Sequence, residues 1–221
     1  MGVIIIEFIL GLLGMTGGIL CAIGDMLFDM KGTDSDKLGK YKLMESNWVR
    51  MPLWRFKLSI LLAAVGVPLY VLGFISMAMQ ISNRTLSIAF GTISCLGALG
   101  GIMIHTMCCI YPILYKSLKK HLSIEAFEEG LKTSYDAIKI PFVFYFTCLV
   151  IIPSILLEVA IIRGYLQLPV WCALLTSVPF MIVGITLRLI KKKWFNDLLG
   201  IIMPSMGISM VGLLAAINSL L

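Results

Sequence analysis

From Ile60 to Ile75 the chain carries no charged residue and no period-two alternation of apolar and polar side chains. Runs of this kind recur along the sequence, each near the 20 residues that a helix needs to cross a hydrocarbon core of about 30 Å. Lipid offers the backbone no hydrogen-bond partners, so a crossing segment is a helix or part of a closed barrel. A barrel strand would alternate; these runs do not. The composition agrees: 59% of the 221 residues are hydrophobic and only 14% are charged, far from the roughly one-quarter charged of a soluble domain. The expected fold is an all-α membrane protein, a bundle of six transmembrane helices forming one polytopic domain over residues 1–221. The spans are read near 3–23, 58–80, 88–113, 140–162, 169–190 and 198–220. The prolines within them, Pro68, Pro153, Pro179 and Pro204, are expected to act as kinks that neighbouring helices accommodate.

The connecting segments alternate in charge. The first, 31–57, holds Lys31, Lys37, Lys40, Lys42, Arg50, Arg55 and Lys57, whereas the second holds only Arg84. The third, 114–139, holds five lysines; the fourth has only Arg163; the fifth carries Lys191, Lys192 and Lys193 beside Arg188. Basic loops resist translocation, so the odd-numbered loops are expected inside and both termini outside, in a plasma (cytoplasmic) membrane. The net charge of +6 then reflects these loops, and no nucleic-acid partner is expected.

The first apolar run is read as a span and not as a removable signal peptide, because it lacks a basic leader and carries Glu7. All six cysteines lie within apolar runs, which points to buried small hydrophobes and away from a disulfide framework.

Two inner loops are expected to have structure of their own. Trp48, Met51 and Trp54 stand among Arg50, Arg55 and Glu45, a pattern suited to the headgroup layer, and Trp194 repeats it after the three lysines. In the third loop Phe127, Leu131, Ser134 or Tyr135, and Ile138 recur at helical spacing. Ser123 is placed as N-cap and Glu128 is set to pair with Lys132 at i,i+4. That segment is expected to be a short amphipathic helix on the inner surface. Either loop is a solvated charged face or a docking site for a protein partner.

Ionisable groups within spans are costly and therefore mark functional candidates. On the first span Glu7, Gly11, Gly14, Gly18, Cys21 and Asp25 follow alternating spacings of four and three, with Asp29 one turn further on; they share one helical face. The Gly14–Gly18 pair allows another backbone to approach closely. The third span has a similar stripe: Gly91, Ser94, Ala98, Gly101, His105, Cys108 and Pro112. These two stripes are candidates to face each other. Asp25, Asp29 and His105 are the catalytic candidates, and Glu7, Asp25, His105 and Glu158 are the substrate-binding candidates. From the assumed span ends His105 lies about eight residues deeper than Asp25, or ~12 Å. Direct contact therefore requires shifted helices or different boundaries; otherwise Asp25 and Asp29 cap the inner end, beside Lys31 or Arg55, and His105 is a packing residue.

No cofactor and no metal are expected. One histidine, separated carboxylates and Cys108–Cys109 do not form a tight ligand spacing, and Asp29, Asp34 and Asp36 lack the glycine and distal glutamate of a calcium loop. Nucleotide fingerprints, a nucleophile elbow, a HExxH pair, an arginine-rich sensor and a potassium filter are all missing from the sequence.

The Gly24-Asp25 pair after an apolar helix, and His105 followed by Tyr111 in a later helix, resemble features of the lysoplasmalogenase family. That family consists of small multi-pass enzymes that hydrolyse lysolipid vinyl ethers. The likeness covers only these residues, and six spans are fewer than it implies; what it adds is a lipid-like substrate.

Three functions from different classes remain open: binding or transport of a small or amphipathic molecule along an intrabundle polar path; an intramembrane enzyme using Asp25 or Asp29 with His105; or a structural or signalling protein docking through its basic loops. The bilayer itself is a partner in all three.

Overall fold

The computed structural model describes residues 2–30, 32, 35–190 and 199–221. In chain order the helices are α1 (Gly2–Asp29), α2 (Leu53–Gln80), α3 (Arg84–Leu118), α4 (Ile124–Phe146), α5 (Ile152–Ile162), α6 (Ser177–Ile190) and α7 (Leu199–Asn218). Between α1 and α2 lies a small antiparallel hairpin, β1 (Lys37–Leu38) with β2 (Met44–Glu45), followed by a 3-10 turn over Ser46–Val49. The fold is all-α in class. Four helical segments are long and apolar enough to cross a membrane: Gly2–Asp29, Leu53–Gln80, Arg84–Leu118 and Ile124–Ile162. Two further apolar stretches, Ser177–Leu187 and Met203–Asn218, are shorter than the spans predicted there.

The 39 residues of Ile124–Ile162 form one rod with a single defect. Over Thr147–Ile151 the helix widens to a π-turn, and the Ile152 N–H donates to the Thr147 carbonyl five residues back. Pro153 explains it. Its ring has no N–H and crowds the carbonyl of Leu149, so the turn opens instead of breaking. The amphipathic stretch of the third loop is accordingly not a separate surface helix but the first part of this rod. Ser123 caps it as the sequence predicts, accepting from the Ala126 N–H at 3.2 Å.

Glycine decides the packing around α1. A Cβ on Gly14 would run into the backbones of Gly73 in α2 and Gly212 in α7; one on Gly18 would meet Ser209, and one on Gly17 would meet Gly66 and Tyr70. Lipid supplies no hydrophobic drive between helices, so close backbone approach is what holds them. The glycines of the α1 stripe are thus wedged between α2 and α7 and do not pack on α3; only the inner end of the stripe, at Asp25, reaches the α3 stripe. The tight contacts of α3 lie one position away from its predicted stripe: Gly97 sits under the Leu149 backbone and Gly100 under the Tyr145 ring.

A second, smaller core fills the basic end of the bundle. Met44, Trp48, Met51, Phe56, Cys109, Tyr115, Phe127 and Leu131 pack together there. Trp48 stacks edge-on against Tyr115 with ring centroids 6.1 Å apart, so it and Met51 belong to a packed interior, while Trp54 stays exposed. Trp194, Lys31 and Asp34 lie outside the described residues. Burying a side chain such as Phe56 here contributes about 1.5–3 kcal/mol. The expected Glu128–Lys132 pair is replaced: Lys132 pairs with Asp136, and Glu128 turns to the hairpin. All six cysteines are free thiols.

Candidate functional site

Asp25 and His105 meet. His105 Nδ1 lies 3.2 Å from Asp25 Oδ1, although the two residues come from different helices and 80 positions apart. The offset anticipated from the span ends is taken up by an axial shift of one helix past the other, since α1 and α3 overrun their predicted ends by nearly the same length. Asp25 is four residues from the end of α1, whereas His105 is thirteen from the end of α3. The excess of nine residues lets α3 project about 13 Å further. Its last turns, with Cys109, Pro112 and Tyr115, are buried in the second core.

Hydrogen bonds fix the protons around the pair. Ser59 Oγ lies 2.7 Å from the Gly24 carbonyl, which can only accept, so the serine proton points there. Ser59 also lies 2.8 Å from His105 Nε2; with its proton committed, it accepts from an Nε2–H. Nδ1 then shares a single further proton with Asp25, as imidazolium with carboxylate or as imidazole with carboxylic acid. In both forms the pair carries no net charge. Ser205 Oγ donates to the other carboxylate oxygen of Asp25 at 2.5 Å. Ser59 is wholly buried and is held by the Gly24 carbonyl, so the Ser59–His105–Asp25 sequence of contacts orients the imidazole and presents no open nucleophile.

The pair lines a cavity of about 250 Å³ formed between α1, α2, α3, α4, the π-turn and α7. Most of the remaining wall is apolar and aromatic, with Phe28, Tyr145, Phe146, Leu149 and Ile208 among its residues. The widened turn contributes Leu149 and Val150, and the start of α7 contributes Pro204 and Ser205. A mostly apolar pocket with a few convergent polar groups is the ordinary form of a small-molecule site.

The other predicted residues lie elsewhere. Asp29 is one turn beyond Asp25, at the end of α1 where Arg55 donates to the carbonyls of Met26, Leu27 and Met30, an arrangement that suits the negative end of a helix dipole. Glu7 is near the opposite end of α1, where its carbonyl accepts from Ser76 Oγ at 2.7 Å. Glu158 belongs to a hydroxyl cluster: its Oε1 accepts from Thr176 at 2.6 Å and from Ser154 at 3.0 Å. Glu7, Glu158 and Asp25 therefore occupy three places, not one path. Among the described residues, no three histidine, cysteine or acidic side chains are placed to hold a metal ion.

Ser59, Ser205 and Tyr70 are the site residues that sequence reasoning missed. For two of them a signal existed. Ser59, Ala63, Gly66, Tyr70, Gly73 and Met77 repeat on α2 the same spacing of four and three found on α1, and all six are buried.

No curated protein and no solved structure matches the chain. Residues 5–221, nearly its whole length, match the family described as a family of unknown function (DUF6796), and the chain belongs to that family.

Proposed function

We propose that this protein is a multi-pass membrane protein that holds a small amphipathic molecule inside its helical bundle, for binding or transport. The observation that carries this reading is the cavity of about 250 Å³, greasy over most of its wall and lined also by Asp25, His105 and Ser205. An apolar tail suits the wall, and a polar head suits the Asp25–His105 corner. In this reading α6 and α7 are the two shorter of six crossings, the basic loops face the cytoplasm, and both chain ends lie outside; the alternation of lysine-rich and lysine-poor loops supports that orientation.

The test uses a single-chain photoactivatable probe, a ten-carbon chain with a diazirine close to its head, offered to the purified protein in nanodiscs. Adducts on peptides lining the cavity, lost in Gly101→Leu, support the reading. A Cβ at Gly101 would meet only the far ends of Leu149 and Tyr70, so this variant fills the cavity without displacing backbone. Adducts that are spread over lipid-facing residues and indifferent to Gly101→Leu overturn it.

A second reading is favoured by the 3.2 Å contact between imidazole and carboxylate: an intramembrane enzyme in which Asp25 and His105 move a proton. The resemblance at Gly24, Asp25, His105 and Tyr111 makes a lysolipid the first substrate to assay. Product formation by the wild type that is abolished by Asp25→Asn would favour it over simple binding.

A further inference from the structure

Tyr70 stands apart from the other polar groups of the cavity. It is only 3% exposed, yet its hydroxyl has no hydrogen-bond partner among the described residues. The ring is fixed edge-on against Phe74, with centroids 5.5 Å apart. The hydroxyl points into the cavity, 3.1 Å from where a Cβ on Gly101 would sit, and both residues line that space. Buried hydroxyls are nearly always bonded, so an unfilled donor inside a ligand-sized space calls for an acceptor from the occupant.

The opposite requirement comes from Asp25 and Ser205. Ser205 has given its proton to Asp25 and retains lone pairs that only a donor can fill. An occupant head that accepts from Tyr70 and donates toward Ser205 or Asp25 satisfies both. Charge narrows the choice. The Asp25–His105 pair is neutral as a unit in either proton position, so an ammonium or carboxylate head would leave one uncompensated charge in an apolar cavity, which is strongly unfavourable. A hydroxyl both accepts and donates, and it is uncharged.

We infer that the cavity selects a single-chain amphipath with an uncharged hydroxyl head, received by Tyr70 as donor and by the Ser205–Asp25 edge as acceptor. The inference rests on the binding reading above. The cavity's volume of about 250 Å³ is at the small end of ligand sites, so it holds the head and the first part of a chain, and a longer tail extends beyond it. Tyr70 acts here as a specificity residue.

Three probes sharing the ten-carbon diazirine chain test it, ending in a hydroxyl, an ammonium or a carboxylate. Each is offered to the wild type, Tyr70→Phe and Gly101→Leu in nanodiscs, and adducts on cavity peptides are quantified. Tyr70→Phe keeps the ring and its contact with Phe74, and a thermal unfolding curve verifies that it is folded. The hydroxyl probe is expected to label the cavity at least about fivefold more than either charged probe, and Tyr70→Phe to lower that labelling about fivefold, the worth of one net hydrogen bond. Equal or stronger labelling by a charged probe, or hydroxyl labelling unchanged in Tyr70→Phe, overturns the inference while leaving the binding site standing. If no probe gives labelling sensitive to Gly101→Leu, the binding reading fails and the inference with it.

Discussion

Glu128 of α4 grips the backbone of Lys40, 88 residues earlier: its two carboxylate oxygens accept from the amides of Lys40 and Tyr41, each at 2.6 Å. The side chain is buried, and Gly39, at φ +79°, brings the hairpin close enough that a Cβ there would collide with the carboxylate. Glu128→Ala would leave two amides without their acceptor. The loss is about 2 kcal/mol of local stability, seen as roughly 30-fold faster hydrogen exchange in the 37–45 peptide while the exchange of α1 and α2 is unchanged. Equal rates in the two proteins would show that the hairpin is held by other contacts.

Glycines in the same chain should respond oppositely to one change. Gly14→Ala drives a methyl into the Gly73 and Gly212 backbones and is expected to cost about 2–3 kcal/mol, lowering the unfolding temperature in detergent. Gly130, within α4, has nothing within 4 Å of its added Cβ, so Gly130→Ala should raise stability by up to about 1 kcal/mol through helix propensity alone. Similar unfolding temperatures for the two variants would contradict the wedge of α1 between α2 and α7.

The Asp25–His105 pair predicts non-additive energetics. His105→Ala strands a largely buried carboxylate and removes the partner of Ser59, for a loss of about 3 kcal/mol. Asp25→Asn in that background removes the stranded charge, so the double variant should be no less stable than His105→Ala. A double-mutant cycle on thermal unfolding that returned simple additivity would mean the two groups do not interact.

The orientation can be checked in intact cells. A cysteine replacing Arg163 should react with a membrane-impermeant maleimide added outside, and one replacing Lys57 should react only after permeabilisation, each in a background without the native thiols. The reverse pattern would invert the sidedness proposed for the loops.

The sequence shows the helices well because hydropathy and helix period need no partner to be read. It shows faces but not neighbours: the α1 and α3 stripes share a spacing, yet Gly14 meets Gly73 and Gly212. Spacing carries phase and nothing about which surface lies opposite. The Asp25–His105 contact was obscured for a different reason. Apolar runs give the length of each span but not how far one helix slides along another, and α3 projects past α1 with its last turns received by the second core. Glu128 illustrates the same limit: its i,i+4 lysine is the local choice, while the hairpin amides that claim it are far away in sequence.

The π-turn at Thr147–Ile151 resets the phase of everything after it. One additional residue in a helical turn rotates the following side chains by about 100°, so the rod presents Tyr145 and Leu149 to the cavity and then, one defect later, turns Ser154 and Glu158 toward Thr176. Excising a single residue from this segment would therefore be felt along the whole of α5, swinging Glu158 out of its hydroxyl cluster. The chain uses one surplus amino acid as a rotary joint between its two polar clusters.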